Sequence, residues 1–214
     1  MNLYQKLMIK KNFIPNKMIT FTNIDEKKPF ARIEDLYKEA LIANQKNIEA
    51  ICISSYSKKN GVNSRFVNLK IVDDDKLFFF TNYESEKAYE FDENNQISAV
   101  LYWNETNTQI RMKSKILKTS NQFNQNYFTK RTKEKNALAI SSKQSKKIDS
   151  FQSVRKNFFD VMHSNDLTTC PEYWGGYCFS PFYIEFWNGK DTRLNHRQVF
   201  ELIDEDWQDS ILQP

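Results

Sequence analysis

The sequence predicts an α+β fold, mainly antiparallel β, in which helices flank a sheet that tends to close into a barrel. Three observations predict it. Short runs rich in β-branched and aromatic residues recur along most of the chain. Most connections between them are brief and carry Asn, Asp or Gly. Segments with helical spacing fall between groups of strands instead of alternating with every one.

Residues 1–30 are basic, apolar in patches and without a clear period, which predicts a loosely ordered arm ahead of a single domain over 31–214. In 31–45 Ile33, Leu36, Tyr37, Ala40 and Leu41 share one stripe, so the segment reads as an amphipathic helix. "AICISSYS" (50–57) is a strand, and "KKNG" turns after it. "SRFVNLKIV" (64–72) and "KLFFFTNY" (76–83) flank "DDD" as a hairpin. "SEKAYEFDEN" (85–94) is a helix whose first turn Ser85 can cap. "ISAVLYWN" (97–104) and "TQIRMKSKILKTS" (108–120) pair next. Ile110, Met112 and Ile116 face inward there, while Gln109, Arg111, Lys113 and Lys115 make a wet, basic face. From 121 to 165 the spacing is helical in "NQFNQNYFTKR" and "KIDSFQSVRKNFFDVM", with the polar stretch "SSKQSKK" between them. "GGYCFS", "YIEFWN", "HRQVFELID" and "DWQDSILQ" return to strands, with "GK" and "DED" as hairpin turns.

The 214 residues suffice to bury a core without disulfide or metal staples. A net charge of +4 is too mild to imply nucleic acid and suits local clusters that gather small anions. Cys52, Cys170 and Cys178 form no CxxC pair, which suggests a reducing compartment and packing roles. No apolar run approaches the ~20 residues that cross a bilayer. The N-terminus also lacks a secretory h-region, so a cytoplasmic protein is expected. Four glycines cannot build a G-x-G-x-x-G or a P-loop, so any phosphate must be held by side chains and ordinary amides. Two histidines exclude a His-rich metal site and argue against a Ser-His-Asp triad.

Five clusters could carry chemistry, and each has a plainer reading. Arg65 sits among apolar neighbours on one strand face, either in an ion pair or as a fork for a planar anion. Thr81 and Lys87 flank a helix start, which is either a capped, solvated end or a phosphate site. Gln109 lies on the basic strand face, where it could also hydrogen-bond a heterocycle. Tyr127, Arg131 and Lys135 recur every four residues, on one face if the helix runs on, as a solvated stripe or a phosphate clamp. Trp187, Arg193 and Arg197 crowd "YIEFWNGKDTRLNHR", where the tryptophan is either core or a platform for a ring.

In order and spacing these clusters resemble the pyridoxamine 5′-phosphate oxidase family. The resemblance rests on "RFVNLK", "FTN", "SEK", "TQI", "YFTKR", "KQS", "WGGY", "IEFWNG", "RLNHR" and the terminal "LQP", and covers about residues 50–214. It implies an FMN-binding split β-barrel and a homodimer with FMN at the subunit interface. It also implies oxidation of pyridoxamine or pyridoxine 5′-phosphate to pyridoxal 5′-phosphate, with O2 as acceptor and H2O2 released. Carried over by position, FMN would meet Arg65, Lys70, Phe80, Thr81, Lys87, Gln109, Gln144, Ser145, Trp187 and Arg197, with Gln144 and Ser145 reaching across the dimer. Substrate would meet Lys70, Tyr127, Arg131, Lys135, Arg193 and Asn195, the last two at the catalytic positions, with Arg193 over the reactive face of the ring. No metal, nucleic acid or membrane is implied.

The chain departs from the family pattern at Glu86, where an arginine stands, at Lys135, where a serine stands, and at Asn195, where a histidine stands; Asn68 interrupts the apolar run of the first motif. These departures keep two alternatives open: a related split-barrel flavoprotein with another substrate, and a non-enzymatic binder of FMN or pyridoxal phosphate.

Overall fold

The computed structural model of the chain describes residues 18–164 and 166–214, the side chain of Ser164 excepted. Within them a ten-stranded, mostly antiparallel sheet is flanked by five α-helices. The elements in chain order are β1 (Thr20–Thr22), α1 (Pro29–Ile42), β2 (Ala50–Ser57), β3 (Gly61–Asn68), β4 (Ile71–Asp73), β5 (Lys76–Asn82), α2 (Glu86–Glu93), β6 (Gln96–Trp103) and β7 (Thr108–Lys118). They continue with α3 (Asn121–Phe128), α4 (Lys133–Ser141), α5 (Phe151–Ser164), β8 (Trp174–Asn188), β9 (His196–Ile203) and β10 (Asp206–Leu212).

The strands run β1-β4-β5-β8-β7-β6-β2-β3, and β9 pairs with β8 and β10. The two ends of that path meet through the chain itself. Leu69 N–H donates to the Glu49 carbonyl at 2.8 Å, and Lys70 N–H donates to the Phe78 carbonyl at 2.8 Å. Two residues between β3 and β4 thus carry the chain from the β2 edge to β5, which curls the sheet toward closure. This is why the expected strand 64–72 appears as two.

Period-2 alternation sets the core. Ile110, Met112 and Ile116 of β7 meet Ile184 and Phe179 of β8 inside, while Gln109, Arg111 and Lys113 face out. Phe79 packs against Phe91, Tyr177 and Phe179. Trp103 is buried beside Tyr37 and donates its indole N–H to the Ile48 carbonyl at 3.0 Å.

Several expectations need correction. The first seventeen residues of the expected arm lie outside the described residues. The rest is part of the fold: β1 pairs in parallel with β4, and Ile19 and Phe30 are buried. The two strands expected at 175–188 are one strand of fifteen residues. Pro181, which has no N–H to give, sits where the β7–β8 register shifts between Lys113 and Ser114. "GK" is not a tight turn, because residues 189–195 form a loop between β8 and β9. "DED" does hold a two-residue hairpin turn, with Asp204 and Glu205 both at positive φ (49° and 70°) as a mirror-image turn requires. The helical spacing read over "NQFNQNYFTKR" does not run on to Lys135: α3 ends at Phe128, and α4 starts at Lys133 after Thr132 caps it through the Lys135 N–H. Ser85 holds the N-cap position of α2, but its hydroxyl donates backward to the Asn82 carbonyl at 2.7 Å.

Tyr177 is 1% exposed, and its hydroxyl has no hydrogen-bond partner among the described residues. Burial pushes that phenol far above its ordinary range. An unpaired buried hydroxyl costs about 1–3 kcal/mol. Tyr177→Phe should therefore leave Tm unchanged or raise it by a few degrees in a thermal melt, although the residue is central to the core.

Candidate functional site

A first cluster forms where β5 ends and α2 begins. Thr81, the next-to-last residue of β5, and Ser85, just before α2, each receive a hydrogen bond from the Lys87 ammonium at 3.2 Å. Lys87 is 8% exposed, and among the described residues it makes no ion pair. Burial, with a contribution from the Arg65 charge, pushes its pKa down to about 8. Gln144 completes the cluster, accepting from the Thr81 hydroxyl at 3.1 Å and the Asn82 N–H at 3.3 Å. Both contacts lie within its own chain. Ser145, beside it, adopts a positive φ of 69° in an exposed turn.

Arg65 is oriented by a residue that the sequence reading passed over. Glu90 of α2 is 2% exposed and accepts from Arg65 Nη2 at 2.5 Å, from the Ser55 hydroxyl at 2.5 Å and from Asn63 Nδ2 at 3.1 Å. Burial alone would raise the Glu90 carboxyl; these donors outweigh it and hold it below the ordinary carboxylate range. Arg65 Nη1 also reaches Ser55 Oγ. Lys70, on the short link between β3 and β4, points its ammonium at Glu49 at 3.9 Å. The Glu86 carboxylate accepts from Asn60 Nδ2 at 3.4 Å.

A second cluster is aromatic. Phe80 stacks with Tyr127 (centroids 3.5 Å apart, 8° between planes) and with Trp174 (5.4 Å, 10°). Arg131 crosses the Trp174 ring at 4.3 Å and donates through Nη2 to the Lys135 carbonyl at 3.0 Å. Its Nη1 is buried with no partner among the described residues, and burial pushes the guanidinium down to about 10. Tyr127 and Arg131 therefore meet although the helix does not run on, while the Lys135 side chain stays exposed. The "WGG" glycines make room here. A Cβ at Gly175 would fall 2.3 Å from Asn124 Nδ2 and Tyr83 Oη, which hydrogen-bond each other at 3.0 Å.

A third cluster is a row across the sheet. Gln109 of β7 is the register partner of Trp187 of β8, which is the partner of Arg197 of β9. Directly opposed residues share a face, so these three side chains stand in line. Behind them is a second residue absent from the candidate set. Glu185, 2% exposed, accepts from Arg197 Nε at 2.9 Å and Nη2 at 2.8 Å on one oxygen. Its other oxygen accepts from Tyr183 Oη at 3.0 Å and from Arg111 Nε at 3.1 Å and Nη2. Burial would raise this carboxyl too, but Arg111, Arg197 and Tyr183 hold it low. Arg197 Nη1 reaches on to the Gln213 carbonyl near the C-terminus at 3.0 Å.

Arg193 is exposed on the 189–195 loop at φ 64°. Asn195 closes that loop: its Oδ1 accepts from the Lys190 N–H at 3.0 Å and its own N–H donates to the Arg193 carbonyl at 2.8 Å. His196 starts β9, exposed, opposite Asn188.

The alternation in "YIEFWN" held the signal for Glu185. It places the glutamate on the face of Trp187, opposite Arg111, where a buried carboxylate needs a cation. Glu90 had no comparable signal, because it lies on helix α2 and no strand alternation sets it against Arg65 of β3.

Residues 37–163 match the family described as pyridoxamine 5′-phosphate oxidase, and residues 174–214 match the pyridoxine 5′-phosphate oxidase C-terminal dimerisation region. The chain is 37% identical over 168 residues to pyridoxine/pyridoxamine 5′-phosphate oxidase of Colwellia psychrerythraea, covering 78% of this chain and 77% of that protein. It is 32% identical over 190 residues to pyridoxine/pyridoxamine 5′-phosphate oxidase 1 of Hydrogenovibrio crunogenus, covering 87% and 88%. Among solved structures, PhzG from Burkholderia lata superposes with a TM-score of 0.83 at 24% identity, covering 88% of this chain and 93% of that one. A pyridoxamine 5′-phosphate oxidase-related, FMN-binding protein from Nostoc punctiforme gives a TM-score of 0.70 at 12% identity, covering 84% and 96%. The two structures establish the fold as the split barrel. The matched domains and the identities over most of the chain establish that it belongs to the pyridoxamine 5′-phosphate oxidase family.

Proposed function

We propose that the chain is an FMN-dependent oxidase that converts pyridoxamine or pyridoxine 5′-phosphate to pyridoxal 5′-phosphate, with O2 as acceptor and H2O2 released. The observation that carries this reading is a pair of desolvated cations, the buried Lys87 and the half-buried Arg131, whose Nη1 is itself buried. Among the described residues neither Lys87 nor Arg131 makes an ion pair, and each loses affinity for its proton through burial. A buried charge persists where a partner offsets its desolvation. The reaction brings two phosphate monoesters to the protein, one on the cofactor and one on the substrate, so two such sites are what it requires.

The residues fit FMN. Lys87, Arg65, Thr81 and Gln144 would hold its phosphate, with Lys70 beside them. Gln109, Trp187 and Arg197 would hold the ring, and Ser145 would border the phosphate side. When bound, FMN supplies the acceptor for the electrons leaving the substrate carbon and passes them to oxygen. The protein's own residues supply position and charge. Arg131 and Tyr127 would take the substrate phosphate, with Lys70 and Lys135 adding positive charge. Arg193 would lie against the substrate ring, and Asn195 would keep the loop that presents it.

The site needs a second copy of the chain. Thr81 is level with Gly175 on β8, and Gln109 and Arg197 are level with Trp187, twelve residues further on. At ~3.3 Å per residue that is about 40 Å of strand. A homodimer that sets one end of β8 near the other end of its partner's would bring the clusters together, in keeping with the matched dimerisation region. Among the described residues no helix is long and apolar enough to cross a membrane.

A second reading, a flavoprotein acting on another substrate, is favoured by one observation: the Asn195 side chain is committed to the Lys190 N–H. An aerobic assay separates the two. Protein supplied with FMN should release H2O2 and form pyridoxal 5′-phosphate from pyridoxamine 5′-phosphate. Bound FMN with no peroxide from either B6 phosphate would favour the second reading.

A further inference from the structure

The Glu185 carboxylate is shared by two guanidinium groups on the face that carries Gln109 and Trp187. Three features set it apart from an ordinary surface ion pair. It is 2% exposed, both of its oxygens are occupied, and the donors come from three strands: Arg111 of β7, Tyr183 of β8 and Arg197 of β9. Arg197 uses Nε and Nη2 on one oxygen, and its Nη1 is taken by the Gln213 carbonyl. The guanidinium plane is thereby fixed, in line with Trp187. Arg111 is held at the other oxygen and leaves Arg197 undisturbed.

We infer that Glu185 is a positioning residue for the flavin site: it holds Arg197 in the plane and register in which that arginine meets the cofactor, and it keeps Arg111 from displacing it. This rests on the flavin reading above. A guanidinium donates in a fixed fork, so its value to a planar heterocycle depends on orientation as much as on charge. An arginine that must be pre-oriented loses less freedom on binding.

The inference opposes the simple electrostatic expectation. FMN is anionic, and removing a nearby carboxylate should tighten its binding if charge alone mattered. Positioning predicts the reverse. FMN affinity is read by the change in flavin fluorescence on titrating apoprotein, for wild type, Glu185→Gln, Arg197→Ala and the double variant, with Tm followed for each. Glu185→Gln should weaken FMN binding about tenfold, the scale of one charged hydrogen bond. The double variant should bind no more weakly than Arg197→Ala alone, since Glu185 acts through Arg197. Arg111→Met should bind within a few-fold of wild type. Unchanged or tighter binding by Glu185→Gln overturns the inference, as do additive effects in the double variant or an equal loss in Arg111→Met. Wild type that takes up no FMN overturns the flavin reading and this inference with it. Uptake with additive effects overturns the inference alone.

Discussion

Replacing Arg197 by alanine is expected to raise the FMN dissociation constant by roughly ten- to a hundredfold, the cost of one or two hydrogen bonds from a charged donor. The fold should survive, because Glu185 keeps Arg111 and Tyr183 as partners. Arg193→Ala should do something different. Its side chain is exposed, and its loop is closed by Asn195 and Lys190, so FMN affinity and Tm should stay near wild type. Turnover of pyridoxamine 5′-phosphate should fall on the order of a hundredfold, as for loss of a group that orients the reacting centre. Fluorescence titration and steady-state kinetics on the two variants check the pair. Equal FMN affinity in Arg197→Ala and wild type would remove Arg197 from the flavin site.

The second large effect is on pH. The Lys87 ammonium is pushed down to about 8 by burial, well below the usual lysine value of about 10.4. A phosphate at that site would favour the charged form and raise the pKa again. FMN binding should then be flat across neutral pH. Above about pH 8 it should weaken, by up to tenfold per pH unit, because the free protein must take up a proton to bind. Lys87→Met should bind more weakly and lose this slope. The same shift acts on ligand-free stability. A lowered lysine pKa means that the unfolded chain binds the proton more tightly, so this group's contribution rises with pH between about 8 and 10.5. Glu90 and Glu185 slope the same way, in a lower pH range. Their folded values are lowered, so the stability they add is present above the unfolded carboxylate pKa of about 4.3 and drains away as pH falls through the folded values. Dissociation constants measured across pH 6.5 to 9.5 (roughly, the span around the Lys87 value) decide the first claim. A constant that stays level throughout would mean that Lys87 does not meet the phosphate.

Much of this architecture was legible in the sequence because alternation and turn chemistry are local. β7 could be read residue by residue, with Gln109, Arg111 and Lys113 on one face. Where tertiary context decided, the reading failed. Nothing local tells that residues 175–188 make one strand with a register shift at Pro181, since a proline ordinarily ends a strand and here only the pairing with β7 carries it through. β1 is held by a parallel pairing to β4 across fifty residues, which no short window can show. The candidate site divides in the same way. Arg65, Thr81, Lys87, Gln109, Trp187 and Arg197 were singled out by their order along the chain. Glu90 and Glu185, the carboxylates that orient the two arginines, were not, because a buried acid is recognised by what surrounds it. Arg131 would have shared a face with Tyr127 only if the helix ran on; instead α3 ends at Phe128 and the chain folds Arg131 back over Trp174.

The central claim is that FMN on this protein takes electrons from a B6 phosphate. It is tested most directly by absorbance under anaerobic conditions, with FMN-loaded protein mixed with pyridoxamine 5′-phosphate and air then admitted. The visible flavin band should bleach on mixing and return with oxygen, with pyridoxal 5′-phosphate formed in proportion to the flavin present. A flavin band that persists with pyridoxamine 5′-phosphate and with pyridoxine 5′-phosphate alike would contradict the claim.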